Sequence, residues 1–184
     1  EYELAATDPR LPWPWITIHA AGWAALSPAR AEATREATRL LDDLFPLLAT
    51  LPPRTLNQNA ASALAGETIW HLEDRTRAEH CRQHALALVD AGVGDYVMGS
   101  QALTIARMAA LLEEHDEAAR WFARAEATLR EDGRGPLRAI AVVDHAATAL
   151  RTRSPIPIRE LRDAQTLAAE LGLTHWATRA AALV

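Results

Sequence analysis

Apolar residues recur along this chain at intervals of three and four, with Pro, Gly, Asp or Ser between the runs. That pattern predicts a succession of helices and no strands. Between residues 96 and 114, Gly99, Leu103, Ala106 and Ala110 form one apolar stripe, and Ile105, Ala109 and Leu112 form a second on another side. A helix apolar on two sides has to be packed between neighbours. Residues 8–14 are too rich in proline for helix and read as an extended lead-in. Four hairpins follow, over 15–26 with 28–51, 56–72 with 75–91, 96–114 with 117–131, and 136–150 with 158–171. A further helix over 173–184 has no partner. Ser27-Pro28, Asp74 and Asp116 are the expected helix starts, Phe45-Pro46 the expected kink, and Ser154-Pro155-Ile156-Pro157 the expected turn of the fourth hairpin.

Gly92, Gly133 and Gly172 each close an Ala- and Arg-rich stretch and lie 41 and 39 residues apart. Superimposing on them brings Cys81, Phe122 and Leu161 into one register, His84, Ala125 and Ala164 into a second, and Tyr96, Leu137 and Trp176 into a third. A repeat of about forty residues without strand signals means stacked helical hairpins, each too small to bury its apolar face alone. The expectation is an all-α chain forming one helical-repeat domain over residues 1–184, with about four hairpins and an unpaired C-terminal helix. The chain starts at Glu1 without methionine and stops at Val184 inside an apolar stretch, so it reads as a piece of a larger protein, with Trp176, Leu183 and Val184 exposed at the cut.

All 19 basic residues are arginine, and there is no lysine. This removes mechanisms that need an amine: a Schiff base, an ammonium base, or the phosphate-binding lysine of a P-loop. The formal net charge of −5 disfavours a surface built to displace counterions from a phosphate backbone, so direct nucleic-acid binding is not expected. Cys81 is the only cysteine, and neither a signal-peptide pattern nor a membrane-length apolar run is visible. A cytoplasmic chain with no membrane contact is the natural reading.

Ala118-x-x-x-Phe122-x-x-Ala125 resembles the second helix of a tetratricopeptide repeat (TPR), in which a large residue between two small ones fits against the preceding helix. The departures are a period above the usual length of about 34 residues, Ala102 and Ala109 where the repeat usually has Trp and Tyr, and a closing proline displaced to Pro136. The resemblance implies a TPR-like right-handed superhelix of stacked antiparallel hairpins. A narrower resemblance rests on Gly99-Ser100, His115-Asp116-Glu117-Ala118, Val143-Asp144-His145-Ala146 within 139–150, and Ala168-Ala169-Glu170-Leu171-Gly172-Leu173. These look like the helical-repeat tails of large bacterial ATPase regulators, either LuxR-type transcriptional regulators or class III adenylate cyclases linked to an AAA-type ATPase. What this implies is a non-catalytic interaction or regulatory scaffold whose partner is a protein, a peptide or another domain of the same chain. The alternative is a sensor domain enclosing a small-molecule inducer near Trp70 or Trp23, with Asn57-Gln58-Asn59 contributing polar contacts.

On the third hairpin, the face left over by the apolar stripes carries Ser100, Thr104, Arg107 and Glu114. The 41-residue shift carries Thr104 to His145 and Arg107 to Thr148, so Ser100, Thr104, Arg107, His145 and Thr148 are the expected partner-binding residues. His80-Cys81-x-x-His84 has the i, i+4 spacing of a metal-binding pair, but Cys81 aligns with Phe122 and Leu161 and reads as a small core residue. No metal, cofactor or catalytic residue is therefore expected. Asp144 and His145 are adjacent on a helix and diverge by about 100°, so they cannot orient one another; Asp144 is expected to hold an arginine of a neighbouring helix or to cap a buried polar contact. Core packing accounts for most of the six tryptophans.

Overall fold

The structure, a computed structural model, describes residues 33–48, 55–93, 99–152, 154–155 and 158–184. Its regular elements are all helices: α1 Thr34–Leu48, α2 Leu56–Leu72, α3 Arg75–Asp90, α4 Gln101–Leu111, α5 His115–Glu131, α6 Gly135–Thr152, α7 Ile158–Glu170 and α8 Thr174–Ala181. The first expected helix, over 15–26, lies outside the described residues. No described helix is long and apolar enough to cross a membrane. The helices group into two compact units divided between Leu112 and Glu113.

In the first unit α2 packs against α1, α3 and α4, and α3 also packs against α4. Its core joins Leu41 and Leu44 of α1, Ile69 and Trp70 of α2, Cys81 of α3, and Met108 and Leu111 of α4. Pro46 is accommodated in the last turn of α1 and does not split the helix. Small residues bring α2 and the start of α4 close together. A Cβ added to Gly99 would lie 2.3 Å from the Cβ of Ala63, and one added to Gly66 would lie 2.5 Å from Thr104 Cγ2. Every residue of α4 except Ala110 is buried, as expected for a helix with two apolar stripes. That helix is shorter than the sequence reading of 96–114 because Ser100, with extended backbone, caps it by accepting from Leu103 N.

In the second unit α6 packs against α5, α7 and α8, and α7 also packs against α8. Phe122, Ala125 and Leu129 on α5 and Leu161, Ala164 and Ala168 on α7 are buried at matching positions. The same register holds in α3 at Cys81 and Leu88, while Ala85 takes the inner place that the alignment assigned to His84. Trp176 is not exposed: it is 4% accessible, because α8 packs against both α6 and α7. Val184 is exposed.

The three repeat-marking glycines adopt left-handed backbone, with φ of 73° at Gly92, 69° at Gly133 and 70° at Gly172. At each, the glycine N–H reaches back three residues and the next N–H five, as in Gly92 N to Val89 O at 2.9 Å and Val93 N to Leu88 O at 3.0 Å. This arrangement satisfies carbonyls that the helix end leaves open. Asp74 caps α3 as expected, accepting from Thr76 N and Arg77 N. Asp116 does not cap α5; it lies in the first turn, and the cap position belongs to Glu114, which makes no side-chain capping bond.

Two left-handed residues are not glycine: Glu73 at φ 52° and Glu113 at φ 65°. Glu73 closes α2 with the same backward bonds, Glu73 N to Trp70 O and Asp74 N to Ile69 O. A Cβ is strained in this region. Replacing Glu73 by glycine should therefore raise unfolding stability by about 0.5–1 kcal/mol. A urea midpoint at or below that of the parent chain would show that the glutamate side chain contributes more than its backbone strain costs.

Candidate functional site

The expected partner-binding residues fall in both units. Ser100, Thr104 and Arg107 are on or beside α4 in the first, and His145 and Thr148 are on α6 in the second. Ser100, Thr104, Arg107 and Thr148 are all buried. Ser100 caps α4, Thr104 Oγ1 donates to Ser100 O at 3.1 Å, and Thr148 Oγ1 donates to Asp144 O at 2.9 Å. Such bonds to the carbonyl four residues back let a hydroxyl enter a helix core with its proton satisfied. In this arrangement the four side chains serve packing and present almost no area to a partner.

His145 keeps a partly accessible ring. Its Nδ1 lies 2.7 Å from Glu126 Oε1, and the ring stacks on Phe122 at 5.1 Å between centroids and 6° between planes. Asp144, fully buried, turns the other way to Arg179 Nη1 of α8 at 3.5 Å. An arginine of a neighbouring helix thus meets Asp144, and the two adjacent residues serve different interfaces: α6 with α5 and α6 with α8.

The first unit holds a polar chain across its helices. Asn59, Ser62 and Gln101 are buried, and His84 is half-buried beside them. Gln101 Nε2 donates to Asn59 O at 2.9 Å, and Ser62 Oγ donates to Gln101 Oε1 at 3.2 Å. With its one proton given to Gln101, Ser62 receives His84 Nδ1–H at 3.3 Å, which leaves Nε2 to accept from Gln58 Nε2 at 3.5 Å. The chain is therefore one-directional and suits a neutral imidazole. Burial, and then the nearby His80, hold the His84 pKa below its ordinary value.

A base with a depressed folded pKa makes the unfolded chain take up the proton first. Its contribution is present above about pH 6.5 and is lost as pH falls from there through the lower folded value. Comparing urea unfolding at pH 7.5 and pH 5.5, the parent chain should lose more stability than His84→Gln. Equal losses would remove His84 as the source.

Cys81 is buried, and burial pushes its thiol up to about 12, so it is held as a neutral core side chain. His80 is directed elsewhere, with its ring 5.2 Å from that of Phe45. No group of three His, Cys, Asp or Glu residues able to hold a metal occurs among the described residues. Thr55 caps α2, accepting from Gln58 N, and Asn59, one of the polar residues set against an inducer, lies in the polar chain. Trp70 is core, and Trp121 lies against Arg124 at 4.7 Å; Trp13, Trp15 and Trp23 fall outside the described residues. The polar chain was hidden from sequence reasoning because Asn59 and Gln101 are 42 residues apart and sit on helices whose other residues are largely apolar.

No family model, no curated protein and no solved structure matches the chain.

Proposed function

We propose that this chain is a non-catalytic interaction scaffold, a TPR-like right-handed stack of hairpins serving a bacterial signalling or transcription regulator in the cytoplasm. Its partner is a protein, a peptide or another part of its own chain. The observation that carries this reading is the repeated pairing of helices. In each unit one helix packs against both its hairpin partner and the corresponding helix two elements on: α2 with α3 and α4, α6 with α7 and α8. That is the contact pattern of stacked repeats. The disposition of candidate chemical groups adds support, since Asp144 and His145 each engage a different structural partner and His84 sits in a hydrogen-bond chain.

With Arg107 buried, Arg107→Glu would disturb the fold and is no probe of partner binding. The accessible end of α6 is a better one, because Leu150 there is an apolar side chain 45% exposed. A photo-crosslinking amino acid at position 150, expressed in the native host, should yield a discrete protein adduct that Leu150→Asp weakens in a pull-down of the same partner. Failure to form any adduct, from this position or from Arg151, counts against the scaffold reading.

A further inference from the structure

Around the connection from α6 to α7, apolar and basic side chains come in pairs. Leu150-Arg151 lies near the end of one helix, Ile158-Arg159 begins the next, and Pro155 stands between them. All five residues are exposed, with Leu150 45% and Ile158 37% accessible. From His145 through Arg159 the chain has three arginines and no acidic residue, although its net charge is −5. Exposed apolar residues scattered singly need no explanation. These two flank one connection, and the fold does not account for the second pair. Arg151, in the last turn of α6, suits the negative end of that helix. Arg159 stands in the first turn of α7, where the helix dipole disfavours a cation, and it makes no ion pair with a described residue. Ile158 beside it leaves over a third of its surface in water. Neither residue is placed for the benefit of α7.

Arginine is enriched in protein interfaces, whose centres are apolar and whose rims are polar. The charges decide the partner. An anionic membrane would meet a chain of net charge −5, and the apolar residues here bracket a connection, without the long apolar face of a helix that lies in a bilayer surface. A phosphate backbone has no use for Leu150 and Ile158. A second copy paired face to face would bring the same arginines against one another. Carboxylates beside an apolar stripe answer both halves of the surface.

We propose that the α6–α7 connection docks an acidic amphipathic helix of another protein, with its apolar stripe on Leu150, Pro155 and Ile158 and its carboxylates on Arg151 and Arg159. The planar fork of an arginine matches the two oxygens of a carboxylate. A contact of this size is transient, with Kd on the order of 10 micromolar. Such docking rests on the scaffold reading and adds the chemistry of the partner.

The test places a photo-crosslinking amino acid at position 150 or 158 of the full-length protein in its native host. The cross-linked peptide is identified by mass spectrometry, synthesised, and titrated against the purified chain by fluorescence anisotropy. It should be rich in Asp and Glu and bind more weakly as salt rises. Arg159→Glu should weaken it about tenfold, and changing the facing carboxylate of the peptide to arginine should recover most of that loss. The same variant puts an acid at a helix start, so its thermal midpoint should rise by about 1–3 °C. A fall would mean that Arg159 serves the fold, and would overturn the proposal. A protein adduct whose affinity ignores Arg159→Glu, or an adduct with a second copy of this chain, overturns the acidic partner while the scaffold reading stands. No adduct at either position, or one with lipid, takes both down.

Discussion

Phe122→Ala lowers the unfolding free energy of this chain by about 3–5 kcal/mol, the range for deleting a large aromatic from a packed core. Phe122 is fully buried on α5, between Ala118 and Ala125, which are also fully buried. Those alanines are too small to close over the space the ring leaves. Its face also carries the ring of His145, so the substitution removes the stacking partner that fixes this imidazole beside Glu126. The adjacent Trp121→Ala provides the contrast: that side chain is half-buried and touches Arg124 near solvent, and its loss should cost about 1 kcal/mol. Chemical unfolding of the two variants measures the difference. A Phe122→Ala loss near that of Trp121→Ala would mean that the second unit repacks, and that the repeat register is not what holds it.

That register was readable because it rests on short-range physics. A helix that must stop and reverse needs left-handed backbone, glycine supplies it at little cost, and so Gly92, Gly133 and Gly172 mark helix ends in sequence as they do in space. The core roles of Cys81, Phe122 and Leu161 follow from their constant offset to those stops. Glu73 and Glu113 perform the same backbone reversal without the residue type that announces it, so the hairpin turns left no comparable mark. Asp116 misled for a related reason: an acidic residue in the first turn serves the helix dipole as well as a cap would, and only the path of the chain from Glu113 decides which position it holds. The candidate binding residues were harder still. Polar side chains left over by two apolar stripes look solvated, but α4 is covered almost all round, and Thr104 survives there by returning its hydroxyl proton to Ser100 O. Whether the third side of a helix faces water is decided by elements distant in sequence.

The closeness of α2 to α4 leads to the second large effect, and to a way of isolating it. Gly66→Ala places a Cβ 2.5 Å from Thr104 Cγ2, well inside van der Waals contact. In an exposed helix interior the same substitution would be stabilising by roughly 0.5–1 kcal/mol. Here the clash cannot be relieved by a rotamer change, because Thr104 is buried and its Oγ1 is committed to Ser100 O. The helices must separate, and the core of Ile69, Met108 and Leu111 separates with them. The expected result is a net loss of about 1–3 kcal/mol, the usual cost of overpacking. Thr104→Ser removes the offending methyl and keeps the hydroxyl, so in the double variant most of that loss should return. The remaining contact, with Thr104 Oγ1 at 3.2 Å, asks for a displacement of only a few tenths of an ångström. A double-mutant cycle in urea therefore reads the interhelical contact directly, as a favourable coupling of about 1 kcal/mol or more between two residues 38 positions apart. Additive changes, with Gly66→Ala equally harmful beside serine, would mean that the two helices do not approach one another at this point.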